Sequence, residues 1–152
     1  MDDEPRGTGQ RDILLAISAG GALGSVARWG LGELVAHDAD EFPWSTLVVN
    51  VSGALALGIL MAFVLDVWSS RRLVRPFLGV GVLGGYTTFS TYLLDARNLL
   101  ATGHAGLAFT YLAVTLVVGV AAAWLGIVLG RLVLALGPRW AARQQEPTRS
   151  DR

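Results

Sequence analysis

The residues best suited to chemistry lie in one stretch, GVLGGYTTFSTY at Gly81–Tyr92. Gly84 and Gly85 are followed at once by Thr87, Thr88, Ser90 and Thr91, with Gly79 and Gly81 just upstream. Glycine costs a helix interior about 1 kcal/mol relative to alanine, and β-branched threonines beside paired glycines weaken the turn further. A helix interrupted here frees backbone carbonyls, which lipid cannot satisfy and which can hold Na⁺. A plain glycine hinge, its hydroxyls bonded back to the previous turn, accounts for the same residues. Phe89 and Tyr92 flank Ser90 and Thr91 and share a face if helical. The positive edge of an aromatic ring can meet an anion without a full charge, although packing is the ordinary use of such rings.

Asn50 adds an amide, with Thr46 one turn before it and Ser52 and Gly53 just after. In an apolar segment such an amide serves either as interhelical glue or as a donor of two N–H bonds to an anion. Tyr111, Thr115 and Gly119 recur at i, i+4 and i+8, a short polar track on one helix face. Hydroxyls, an amide and ring edges suit a small anion that must be held yet released. No Ser/His/Asp set, HExxH motif or Walker loop is present, and no enzyme activity is expected. His37 and His104 fall in short loops, where a histidine is ordinarily solvated, and neither is assigned a role.

The elements that must carry these groups are set by where charge is missing. Only 16% of the 152 residues are charged and 53% are hydrophobic, against about 25% charge in a soluble domain. Ile13–Gly32 holds one charge, Arg28, while Phe42–Leu65, Pro76–Leu94 and Asn98–Gly130 hold none. Each meets or nearly meets the roughly 20 residues that cross a bilayer. The expected fold is an all-α membrane protein of four transmembrane helices, the third broken midspan. One domain spans residues 12–137, between polar tails at 1–11 and 138–152. The start, with Asp2, Asp3 and Glu4, does not read as a signal peptide. Gly20/Gly24, Gly81/Gly85 and Gly126/Gly130 are spaced for close helix packing. The absence of cysteine excludes disulfides and thiolate sites. A net charge of +0 gives no basic surface for nucleic acid.

Three motifs in order resemble the Fluc (CrcB) fluoride channels: GGALGSVAR at Gly20–Arg28, STLVVNVSG at Ser45–Gly53, and GVLGGYTTFSTY at Gly81–Tyr92. The resemblance implies an antiparallel dimer in the cell membrane, with two pores that let fluoride leave the cytoplasm passively. It also implies a central Na⁺, not transported, on the backbone carbonyls of Gly84 and Thr87. It puts pore aromatics at Phe89 and Tyr92, track hydroxyls at Ser90 and Thr91, the second-helix amide at Asn50, and fourth-helix polar groups at Tyr111 and Thr115. An acidic position just beyond the signature falls on Asp95. Tyr92 stands where the family has a second phenylalanine, Ser45 where it usually has glycine, and Gly119 where it often has a hydroxyl. The competing functions are a proton-coupled four-helix exporter and a supporting subunit of a heterodimeric channel. The exporter needs an ionisable residue near midspan, and none is expected there, since Glu33 and Asp66 lie at span ends and Asp95 follows the third span.

All twelve basic residues are arginine, and ten of them fall on the side that carries both termini and the loop between spans two and three. The opposite loops carry Glu33, Asp38, Asp40 and Glu41, with only Arg28 and Arg97 near span ends. Positive residues near span ends stay cytoplasmic. Both termini are therefore expected in the cytoplasm, which favours a partner chain of opposite orientation.

Overall fold

A computed structural model describes residues 6–66 and 72–136, and every element in them is helical. The chain forms α1 (Arg6–Leu34), α2 (Trp44–Asp66), a π-helical segment (Arg75–Leu83), α3 (Gly84–Tyr86), α4 (Phe89–Ala101) and α5 (Ala105–Leu136). Four stretches are long and apolar enough to cross a membrane: Gly9–Leu34, Trp44–Leu65, Arg75–Ala101 and Ala105–Leu136. The third is the composite one, interrupted at Thr87 and Thr88. The expected tail at 138–152 lies outside the described residues.

The helices associate in two pairs. α1 lies mainly along the π-helical segment and α3, and α2 mainly along α5. Without a hydrophobic driving force in lipid, such pairs depend on close backbone approach, and the glycines provide it. A Cβ on Gly24 would fall on the Val82 carbonyl, and one on Gly85 would fall on the Gly21 carbonyl. Gly58 and Gly126 face each other so closely that a Cβ on Gly58 would sit 3.0 Å from the Gly126 Cα. The first two GxxxG pairs are thus partners in one interface, and the third packs on α2.

The structure revises several boundaries. α1 begins at Arg6, inside the stretch expected to be an unstructured tail, since helix propagation adds one bond per residue to an already helical span. The break falls on the threonines, while Gly84 and Gly85 remain helical. The expected midspan break is present, and within the Gly-Gly-Tyr-Thr-Thr stretch the threonines carry it, while Gly85 is small for contact with α1. The third span runs on to Ala101, so Asp95 lies inside it, buried, rather than after it. The fourth span starts at Ala105 instead of Asn98. Gly103, at φ 85°, adopts the left-handed conformation that ends α4, with His104 N–H donating to the Leu99 carbonyl at 2.8 Å and Gly103 N–H to the Leu100 carbonyl at 3.1 Å.

A small core of Ala96, Leu99, Ala108 and Tyr111 joins α4 to α5, with Tyr111 and Leu99 wholly buried. Large apolar side chains elsewhere, such as Leu23, Trp29, Phe109 and Val117, are exposed. This is the inverse of a soluble surface and fits contact with lipid or with a second subunit.

The Gly58–Gly126 contact predicts a stability difference. Gly126→Ala should lower the thermal midpoint in detergent through overpacking of about 1–3 kcal/mol. Gly30→Ala, with nothing within 4 Å of the added Cβ, should leave it unchanged or slightly raised. Equal midpoints for the two variants would show that the α2–α5 pair tolerates separation.

Candidate functional site

The site is organised around the interruption of the third span. Thr87 (φ −76°, ψ 158°) and Thr88 (φ −147°, ψ 125°) are both extended, a conformation that β-branched residues favour. Thr88 caps α4: its hydroxyl accepts from the Thr91 N–H at 3.1 Å and donates to Thr91 Oγ1 at 3.0 Å, with Ser90 Oγ at 3.3 Å. The Thr87 hydroxyl donates back to the Leu83 carbonyl at 2.9 Å.

Asn50 of α2 holds this extended backbone from the side. Its Nδ2 donates to the Thr88 carbonyl at 2.9 Å, and its Oδ1 accepts from the Thr88 N–H at 2.9 Å. The two bonds fix the orientation of the amide. They also mean that the N–H an unbroken helix would send to the Gly84 carbonyl goes to Asn50 instead. On the other side, Arg28 of α1 donates from Nη1 to the Thr87 carbonyl at 3.4 Å.

Towards the α1–α2 loop a second polar cluster forms around Asp95. Its Oδ2 accepts from the Thr46 hydroxyl at 2.7 Å and the Tyr111 hydroxyl at 3.5 Å. His37 Nε2 lies 3.9 Å from Asp95 Oδ1, and His37 Nδ1 lies 3.1 Å from Ser45 Oγ. The loop histidine is thus packed into a polar network rather than simply solvated.

Three cavities meet the groups around the break. One of about 310 Å³ is lined by Asn50, Phe89, Tyr92, Thr115 and Gly119, with Leu116, Val120 and Ala123. Thr115 Oγ1 is the one buried side-chain polar atom without a hydrogen-bond partner among the described residues. That is unusual for a helical hydroxyl. Ser52, Thr87 and Thr110 all donate to the carbonyl four residues back, whereas Thr115 makes no such bond and borders a space whose lining, apart from Asn50 and Tyr92, is apolar. The Tyr92 hydroxyl donates to the Leu112 carbonyl at 2.7 Å, so the residue that departs from phenylalanine contributes no free donor. Phe89, 71% exposed, stands at the rim with its ring centroid 5.9 Å from that of Tyr92.

A second cavity, about 320 Å³, gathers Arg28, Ser25, Thr46, Thr88 and Thr91. A third, about 260 Å³, contains Asn50, Gly53, Gly84 and Thr87. The structure therefore brings Asn50, Phe89, Tyr92 and Thr115 together but sets Thr91 on another face. Ser90 is exposed, and Tyr111 is buried behind the cavities against Asp95. Sequence reading gave no role to Arg28 or His37. A lone charge inside a span is a signal for the first; no signal identifies the second, since its partners Ser45 and Asp95 are distant in sequence.

Residues 15–127 match the model of the family described as CrcB-like protein, Camphor Resistance (CrcB). The chain belongs to the CrcB family. A relative from Streptomyces avermitilis, named fluoride-specific ion channel FluC 3, is 43% identical over 134 residues, 88% of this chain and 66% of the relative. This CrcB chain thus spans about two thirds of that relative's length. A relative from Nocardia farcinica, named fluoride-specific ion channel FluC 2, is 50% identical over 78% of this chain and 81% of its own. One from Rhodospirillum centenum, named fluoride-specific ion channel FluC, is 40% identical over 81% of this chain and 98% of its own.

Asn50→Ala should destabilise this CrcB chain strongly. It leaves the Thr88 N–H and carbonyl unpaired away from water, at about 1–3 kcal/mol each. A clear fall in thermal midpoint in detergent is expected. An unchanged midpoint would show that the break is held without the amide.

Proposed function

We propose that this chain is a subunit of a passive fluoride channel. Its anion path is formed by Asn50, Phe89, Tyr92 and Thr115 around the 310 Å³ cavity, with Ser90 and Thr91 at the cap of α4 and Tyr111 at the far end. The observation that carries this reading is the unpartnered Thr115 hydroxyl in that cavity, in a CrcB chain whose relatives bear fluoride channel names. Fluoride is a small, strong hydrogen-bond acceptor. Thr115 has a proton to donate, Asn50 uses one amide N–H on Thr88 and has a second, and the ring edges of Phe89 and Tyr92 add positive electrostatic potential without a full charge. Groups of this strength replace part of a hydration shell and still release the ion. The exposure of Phe89 leaves the path open on one side, which favours its completion by a second subunit.

The carbonyls of Gly84 and Thr87 suit Na⁺. Both are hard oxygen donors, both residues border the same cavity, and Asn50 removes the helical donor of the Gly84 carbonyl. Arg28 occupies one side of the Thr87 carbonyl, which has a second lone pair. A second subunit related by a two-fold axis would bring the same pair again. Bound there, Na⁺ would supply fixed positive charge beside the break. A Cβ on Gly84 meets nothing closer than the Gly79 carbonyl at 4.0 Å, so Gly84→Ala leaves the fold of one chain intact and reports on the shared site.

Fluoride efflux from liposomes tests both parts. The chain, alone or with a similar chain of opposite orientation, should release fluoride and not chloride. Thr115→Val should slow release by about tenfold or more, the loss of one hydrogen bond to an ion. Replacing Na⁺ on both sides with a large organic cation should also slow it. Absence of protein-dependent release in both preparations overturns the channel reading; full release without Na⁺ overturns only the metal.

The orientation reading places both termini in the cytoplasm, and the assembly as a heterodimer with a chain inserted the other way. Arg72 supports the shared side of the second loop and the start of α1, since its guanidinium donates to the Gly9 carbonyl. A C-terminal tag should be inaccessible from outside intact cells. Equal labelling from both sides, with activity from this chain alone, would overturn the orientation bias.

A further inference from the structure

The path described above ends at Tyr111, and beyond it lies a group that the channel reading leaves without work. His37 is in the α1–α2 loop, its side chain 18% exposed, with Nε2 3.9 Å from Asp95 Oδ1. Its Nδ1 is 3.1 Å from Ser45 Oγ, the serine that stands where the resemblance places glycine. The second oxygen of Asp95 holds the hydroxyls of Thr46 and Tyr111. Outside this group is a cavity of about 230 Å³ bordered by His37, Asp38, Glu41, Asp95 and Asn98. The charged side chains that border it are acidic, and no arginine does so.

We propose that His37 is a pH-dependent positioning residue for Asp95, and that protonation of its ring frees the mouth of the anion path. The inference rests on the channel reading. An ionised carboxylate only accepts hydrogen bonds. Here it repels an approaching anion and takes the protons of Thr46 and Tyr111, two hydroxyls that could otherwise be offered to that anion. A neutral imidazole 3.9 Å from Oδ1 does little to change this. The imidazolium has donors on both nitrogens. Nδ1–H then donates to Ser45 Oγ, and Nε2–H draws Oδ1 towards the loop. The carboxylate charge is screened, and its hold on the two hydroxyls loosens.

Imidazole is the side chain that ordinarily changes charge between about pH 5 and 8. The titratable groups that share its cavity are Asp38 and Glu41 from its own loop and Asp95 from α4, with Tyr111 of α5 behind Asp95. α2 offers only the uncharged Ser45 and Thr46. Flux should therefore rise as pH falls through the range in which the ring takes up its proton.

The test is fluoride efflux from liposomes prepared with the same pH inside and out, in steps from about pH 8 to about pH 5.5, the span over which imidazole titrates. The preparation is whichever one conducts, this chain alone or with its partner, and the rate from protein-free vesicles is subtracted. The wild-type rate should rise severalfold towards acid. His37→Gln should be slow and flat with pH. His37→Arg, which keeps the charge, should be fast and flat. The histidine lies in a loop, and size-exclusion elution checks that each variant assembles. A protein-dependent but flat wild-type profile overturns this proposal and leaves the channel reading standing. So does an unaltered acid response in His37→Gln. Absence of protein-dependent efflux at every pH overturns both.

Discussion

The pair of hydrogen bonds between Asn50 and Thr88 is the constraint on which the rest of the site depends. A peptide group exposed in the middle of a membrane is several kcal/mol away from tolerable unless something satisfies it. The amide of Asn50 satisfies both backbone groups of one residue, the N–H and the carbonyl of Thr88, with one side chain. An amide side chain carries its donor and its acceptor on separate atoms, and here each reaches one backbone group of Thr88 at 2.9 Å. Because Thr88 is held, its hydroxyl is positioned to cap α4. The cap in turn determines where Phe89, Ser90, Thr91 and Tyr92 point.

The clamp requires that α2 and the third span be close enough to share it, and here the glycines matter in a manner distinct from flexibility. α1 fits against the backbone of the π-helical segment and α3 through Gly20, Gly24 and Gly85, while α2 fits against α5 through Gly58 and Gly126. The break between α3 and α4 thus has α1 on one flank, with Arg28 reaching Thr87, and α2 on the other, with Asn50 reaching Thr88. Polar groups from two different helices converge on two consecutive peptide units. That convergence, rather than any single residue, makes an irregular backbone sustainable at this depth.

Much of this was legible in the sequence. Gaps in charge marked all four spans, and the sequence Gly84-Gly85-Tyr86-Thr87-Thr88 marked the interruption. What the pattern could not resolve was which of these residues bends. Glycine is both a poor helix former and a small one, and sequence alone does not say which property is in use. The contact of Gly85 with Gly21 decides for packing, and the extended torsions of Thr87 and Thr88 carry the break. The end of α4 was missed for a different reason: Asp95 and Arg97 were read as the end of the span, whereas both lie within α4 and the Gly103 turn is the true punctuation. Of the candidate site residues, Asn50, Phe89, Tyr92 and Thr115 do share a cavity. Tyr111 lies behind it because its hydroxyl is drawn to Asp95, a partner on another helix that periodicity along α5 cannot reveal.

The two helix pairs interleave along the chain: the first span mates with the third, and the second with the fourth. The main mates are thus not neighbours in sequence, although α4 also meets α5 through the small buried core. During synthesis the first two spans enter the bilayer before either mate has been made, so their glycine faces are met by acyl chains alone. The nascent half-protein has no paired backbone surface to stabilise it, and assembly cannot begin until the third span has left the ribosome. Pairing of this chain is therefore late, the first pair closing with the third span and the second only with the fourth, rather than the successive addition of hairpins.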